Sequence, residues 1–231
     1  MKKLLLILSI LPLTLFGQKD STINMDVKLN FFSPIDVFNF PTIDLSLEHR
    51  ITNNFSITAE AGYELYHFNK PDTAFVKPSG YKLASELRLY KPFQSPAKKR
   101  AMGTSLTGFY MGVDFFYRQE QYNSAVEFTR SGSDSTVYID NYWTRKKAAG
   151  ANLTAGYQWA PYRRIVADAF LGVGMLQRTI SRSELTYSEK AGDEISASSR
   201  TDSFFSEKDL KQKNGSGLSL SFGVRFGFII Y

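Results

Sequence analysis

Leu218-Ser219-Leu220-Ser221-Phe222-Gly223-Val224-Arg225-Phe226-Gly227-Phe228-Ile229-Ile230-Tyr231 is a stretch of two unlike faces. Side chains two apart along a β-strand share one face of the sheet. Leu218, Leu220, Phe222, Val224, Phe226, Phe228 and Ile230 therefore make one wholly apolar face, and Ser219, Ser221, Gly223, Arg225 and Gly227 fall on the other. An outer surface in hydrocarbon and a polar interior require this alternation. An amphipathic strand of a soluble sandwich has the same period, so the rest of the chain must decide between them.

Met1–Gly17 opens with Lys2 and Lys3, continues through the apolar stretch Leu4–Phe16 and ends on a small residue. This is the layout of a secretory signal peptide, with cleavage expected before Gln18. The apolar stretch is too short to span a bilayer as a helix, which takes ~20 residues, and Pro12 interrupts it. The expected organisation is thus a signal peptide over 1–17 and a single domain over 18–231. The chain has no Cys, which excludes disulfides, thiolate metal sites and a lipid-anchored cysteine. A formal charge of +6, or +4 without Lys2 and Lys3, is too slight and dispersed to argue for nucleic acid. Aromatic residues make up 15%, with 19 Phe and 13 Tyr, as expected where aromatic girdles meet a membrane surface. The slightly negative mean hydropathy does not oppose a membrane, because alternation averages the apolar face away.

Alternation recurs along the chain. Outward sets are expected at Met25, Val27, Leu29, Phe31; at Ile43, Leu45, Leu47; and at Phe55 through Leu65 on odd positions. Further sets fall at Tyr81, Leu83, Leu87, Leu89; at Phe109 through Tyr117; at Ala149 through Trp159; and at Ile165 through Met175. With the last stretch they make eight strands, an even number. Short connections at Thr52-Asn53-Asn54 and Pro161–Arg164 contrast with long ones at Gln119–Arg145 and Thr179–Gly217. The first of the long ones, with β-prone pieces Ala125–Thr129 and Thr136–Tyr142, is expected to be a hairpin projecting beyond the membrane, and His67–Ser79 is expected to be a surface loop. The expected fold is all-β, an eight-stranded antiparallel up-and-down transmembrane barrel with both termini in the periplasm.

The last strand resembles the C-terminal sorting signal of bacterial outer-membrane barrels, through Phe222, Val224, Phe226, Phe228 and terminal Tyr231. Over nearly the whole mature chain the sequence is similar to small eight-stranded outer-membrane proteins of Gram-negative bacteria, of the OmpX, OmpW and OmpA-transmembrane type. The resemblance implies an integral outer-membrane protein inserted by the barrel-assembly machinery, in contact with outer-membrane lipid and lipopolysaccharide. A structural, surface-contact or adhesive role, or a porin-like passage of small solutes, goes with it. It departs from the full OmpA architecture in having no peptidoglycan-binding domain after Tyr231.

The inward positions collect charges of both signs: Asp26, Lys28, Asp44, Glu48, Arg50, Glu60, Glu64, Lys82, Glu86, Arg88, Asp114, Arg118, Asp168 and Arg225. Eight strands leave an interior just wide enough to be filled by side chains, so these groups are expected to pair and plug the lumen. A narrow ion path is the alternative. His49 and His67 are the only histidines and belong at opposite ends of the barrel, so they cannot share a metal or a base. His67 near Asp72 is the one candidate for rim catalysis, and no catalytic residue, metal or cofactor is assigned. Lys98-Lys99-Arg100 is expected to be a solvated loop, and Leu171–Gly174 lacks the following helix that a phosphate loop needs. No surface ligand can be named from these residues.

Overall fold

The computed structural model describes residues 25–30, 42–52, 54–64, 75–91, 107–130, 132, 136–160, 165–195 and 214–230. The expected signal peptide, Phe31, His67, Asp72, Lys98–Arg100, the Pro161–Arg164 turn and Tyr231 lie outside them. The strands are β1 (Met25–Asn30), β2 (Thr42–Arg50), β3 (Phe55–Glu64), β4 (Phe75–Tyr90), β5 (Gly108–Thr129), β6 (Val137–Trp159), β7 (Ile165–Ser183), β8 (Glu194–Ile195) and β9 (Gly215–Ile230). Eight of them pair antiparallel in the order β1-β2-β3-β4-β5-β6-β7-β9, and β9 pairs back onto β1. The ring is closed. It is an all-β, eight-stranded, antiparallel up-and-down barrel, and β8 is a two-residue addition on β5.

The stagger of the ring follows from its register. From Leu45 one row runs through Ala61, Leu83, Tyr117, Ala149 and Gln177 to Ser216, while the opposite direction runs through Leu29 to Phe226. The two arrivals on β9 are ten residues apart, which is the shear of the barrel. Eight strands about 4.8 Å apart with that shear must tilt by roughly 40° from the axis. Two residues along a strand then climb roughly 5 Å of axis.

Side-chain placement follows the alternation. The outward residues of β6 from Trp159 to Ala149 span roughly 25 Å of axis, the height of an apolar band in membrane barrels. Large apolar side chains face out all round that band, among them Leu45, Leu83, Leu153, Leu171 and Phe226. On the row geometry Tyr63, Tyr81 and Tyr117 stand at nearly one height at its far edge. Phe55, Phe109, Trp159 and Phe228 stand at the edge where Met25 and Ile230 lie. Tyr81 and Tyr117 rings are 6.0 Å apart, and Tyr157 and Trp159 are 5.3 Å apart.

One expectation needs correction. The His67–Ser79 loop ends earlier than its composition predicts, because β4 already begins at Phe75. Its pairing with β5 slips between Val76 and Ser79, so Pro78, which has no N–H to give, stays off the ladder. The polar stretch Gln119–Arg145 is the hairpin that its two β-prone pieces predict, and it prolongs the barrel wall: β5 and β6 run unbroken to Thr129 and from Val137. Thr129 is twelve residues past Tyr117, roughly 40 Å of strand beyond the apolar band.

Beyond the band the sheet turns its polarity over. Its outer face carries Gln119, Gln121, Lys147, Arg145, Gln177, Thr179 and Ser181, with Trp143 and Ile139 exposed further up. Its inner face buries Tyr122, Val126, Phe128, Tyr142 and Ile180. Leu185, Tyr187 and Ile195 pack on Val126, Phe128 and Tyr142. Asp140 holds this cover down by accepting hydrogen bonds from the Thr186 N–H, the Thr186 hydroxyl at 2.9 Å and the Tyr187 N–H at 3.0 Å.

Candidate functional site

Within the membrane-height band the even-numbered residues of β1 to β4, β6 and β7 and the odd-numbered residues of β9 point to the axis, as set by the alternation. β1 supplies Asp26 and Lys28, β2 Asp44 and Glu48, β3 Glu60, β4 Lys82, Glu86 and Arg88, β7 Asp168, and β9 Arg225. These ten form one connected set of ion pairs. Lys28 pairs with Glu48 and with Asp26 at 3.2 Å. Arg88 reaches Glu48 at 3.1 Å, Glu86 at 2.6 Å and Asp168 at 3.1 Å. Arg225 joins Asp168 at 3.2 Å to Glu60 at 2.9 Å, and Lys82 joins Glu60 at 2.6 Å to Asp44 at 3.2 Å.

Burying so many charges is tolerable only when each is paired and its remaining hydrogen-bonding capacity is met. Neutral neighbours meet much of it here, while Asp26 Oδ1, Asp44 Oδ1 and Arg225 Nε take part in no hydrogen bond among the described residues. The Tyr90 hydroxyl donates to Glu48 at 2.8 Å and the Tyr110 hydroxyl to Asp168 at 2.8 Å. Thr154 donates to Glu86 at 2.6 Å, and Ser56 donates to Glu48. Gln158 accepts from Lys28 at 2.7 Å and donates to Asp26 at 3.0 Å. The Arg88 guanidinium lies 4.3 Å over the Tyr110 ring and that of Arg225 lies 3.8 Å over Phe170.

These rings fit because glycine faces them across the ladder. Tyr110 pairs with Gly156, and Phe170 pairs with Gly156 and Gly223. A Cβ on Gly156 would run into the Tyr110 ring, and one on Gly223 would come within 2.9 Å of Phe170.

Three of the fourteen expected lumen charges, Asp114, Arg118 and Arg50, lie outside this set of ion pairs. Asp114 accepts from Asn152 at 3.2 Å, and Arg118 lies 3.9 Å from Glu120. Arg50 sits at the rim, where its Nε donates to the Thr52 carbonyl at 3.1 Å. The Glu64 side chain is outside the described residues. Sequence reasoning picked the members by formal charge, and so passed over Tyr90, Tyr110, Gln158, Thr154 and Ser56. All five share the even-numbered inward register, the signal that would have found them.

A cavity of about 70 Å³ borders the network on the side of the far rim, with Glu60, Lys82, Glu86, Asp114, Arg118 and Arg225 in its wall. Below it Lys28, Glu48, Arg88, Tyr90, Tyr110 and Gln158 are fully buried and fill the bore. Among the described residues no group of three or more His, Cys, Asp or Glu is arranged to hold a metal ion. Four outward residues of the expected sorting signal, Phe222, Val224, Phe226 and Phe228, lie on the outer wall of β9.

A family model described as a protein of unknown function, DUF3575, matches residues 4–208. The chain belongs to that family. No curated protein sequence matches the chain. Among solved structures, CarO of Acinetobacter baumannii is similar at 8% identity and a TM-score of 0.40, covering 90% of this chain and 97% of that one. A major outer membrane protein from Thermus thermophilus is similar at 11% identity and a TM-score of 0.37, covering 91% of this chain and 100% of that one. At these scores both likenesses are loose, and the closed ring of this DUF3575 member rests on its own strand pairings.

Proposed function

We propose that the protein is an integral outer-membrane barrel of the small OmpX and OmpW kind, with both termini toward the periplasm and a structural or surface-contact role. The inversion of polarity along β5, β6 and β7 carries this reading. A soluble barrel has one solvent and keeps its apolar face inward along its whole length. Here the outward face is apolar for roughly 25 Å and turns to Gln, Lys, Arg, Thr and Ser just above it, while the inward face exchanges its ion pairs for buried Tyr122, Val126, Phe128, Tyr142 and Ile180. Two different solvents along one strand account for that change. The long β5-β6 hairpin then stands outside the cell, and the short turn at residues 51–54 lies in the periplasm, where barrels keep tight connections.

The filled bore favours scaffold and contact over transport or enzymatic chemistry, because every charge along the axis below the cavity is engaged by others. Cell fractionation with heat-modifiable gel mobility tests the placement: recovery in the soluble periplasmic fraction would defeat it. Planar-bilayer recording with purified protein tests the plug. A steady ionic current would favour a narrow channel instead.

A further inference from the structure

We infer that Arg145 and Lys147 on the outer wall of β6 form a docking site for the phosphorylated headgroup of an outer-leaflet glycolipid; the inference rests on the membrane placement proposed above. Ala149 is the last outward residue of β6 within the apolar band, and the two basic residues follow at once on the same face. With the tilt of the strands, Lys147 lies roughly 5 Å and Arg145 roughly 10 Å above Ala149, the depth at which lipid phosphates meet a protein wall.

Both side chains are exposed, and among the described residues neither takes part in an ion pair. Two cations on one strand without a carboxylate are an unbalanced charge, and they sit where a row of lipid phosphates would balance it. The surroundings suit an esterified phosphate rather than a lone ion. Register puts Gln119 and Thr179 on either side of Lys147, and Gln121 and Ser181 on either side of Arg145. Arg145 Nη2 donates to Gln121 Oε1 at 3.2 Å, which holds the guanidinium along the wall. Gln121, Trp143, Arg145, Ser181, Arg182 and Ser183 line an open groove of about 370 Å³ directly above. Sugar rings attached to the phosphate would lie there against Trp143, while the acyl chains run down over Ala149, Ala151 and Met175.

The test uses the full chain in zwitterionic nanodiscs, with Trp159→Phe making Trp143 the single tryptophan reporter. Lipid A carrying both phosphates is titrated against its dephosphorylated form. The expected result is a Trp143 response to the phosphorylated lipid whose midpoint rises roughly 10- to 30-fold in Arg145→Gln/Lys147→Gln. Arg130→Gln/Lys190→Gln, which removes two charges elsewhere outside the membrane, should leave the midpoint unchanged. Heat-modifiable mobility verifies that each variant is folded. Equal binding of the two lipids, or an unchanged midpoint in the first double variant, would overturn the site. Fractionation decides the membrane placement separately, so an outer-membrane protein that ignores lipid phosphate refutes this inference alone.

Discussion

Arg88 Nη1 and Asp168 Oδ2 meet at 3.1 Å across the bore, although β4 and β7 are not neighbours in the sheet. The pair fastens opposite walls through the axis. Strand ladders alone fix each wall only to the next, so such transverse ties resist flattening of the ring.

Removing one partner leaves the other buried and uncompensated. Arg88→Met is expected to lower stability by about 3–5 kcal/mol, read from urea unfolding in lipid vesicles. Combining it with Asp168→Asn should cost less than the two single changes together by at least about 1 kcal/mol. Simple additivity would mean the tie does not act as a unit.

Gly156 and Tyr110 form a steric pair. Gly156→Ala should destabilise by about 1–3 kcal/mol through overpacking, and Tyr110→Phe in that background should relieve only part of it, because the ring carbon Cζ and the hydroxyl lie equally close to the added Cβ. Tyr110→Ala should relieve more, leaving the Ala169 carbonyl at 2.7 Å. Comparing unfolding midpoints of the four proteins checks this.

The outer band is tested with one charge at two heights. Leu153→Arg, near mid-band and 67% exposed, is expected to cost about 2–4 kcal/mol in a bilayer. Thr179→Arg, above the band, should stay within about 0.5 kcal/mol. Equal costs at both positions would place no hydrocarbon boundary between them.

Asp140 anchors residues 185–195 through three hydrogen bonds outside the band. Asp140→Ala should open that cover locally at a cost of about 1–3 kcal/mol. Limited proteolysis should then cut between Leu185 and Ile195 while the heat-modifiable core keeps its mobility. A shift in global unfolding would show that the cover and the barrel melt together.

Much of the fold was legible in the sequence because a period of two is all that a two-solvent wall needs. Leu45, Val113, Leu153 and Phe226 face outward and Glu60, Arg88 and Arg225 inward, as the alternation requires. The limits of β4, β5 and β6 were not legible. Beyond the band the outward face turns mostly polar, so Gln119–Arg145 reads as a hairpin apart from the barrel strands, although its backbone pairing continues theirs without a break. Pro78 argued against a strand, but a slip in pairing accommodates it. For the network, charge identified ten members, while Tyr90, Tyr110 and Gln158 share the inward register but carry no formal charge to mark them as members.

Closure over a ten-residue stagger restricts how such a chain can change length. A single-residue insertion in β2, β3 or β9 would swap hydrocarbon-facing and axis-facing side chains for the remainder of that strand, exposing Glu60 or Arg225 to lipid, unless a bulge absorbed it. No comparable constraint governs the β5-β6 hairpin past Thr129, where the sheet has left the ring. The outermost reach of that hairpin can therefore change length without altering the number of residues between the two aromatic collars.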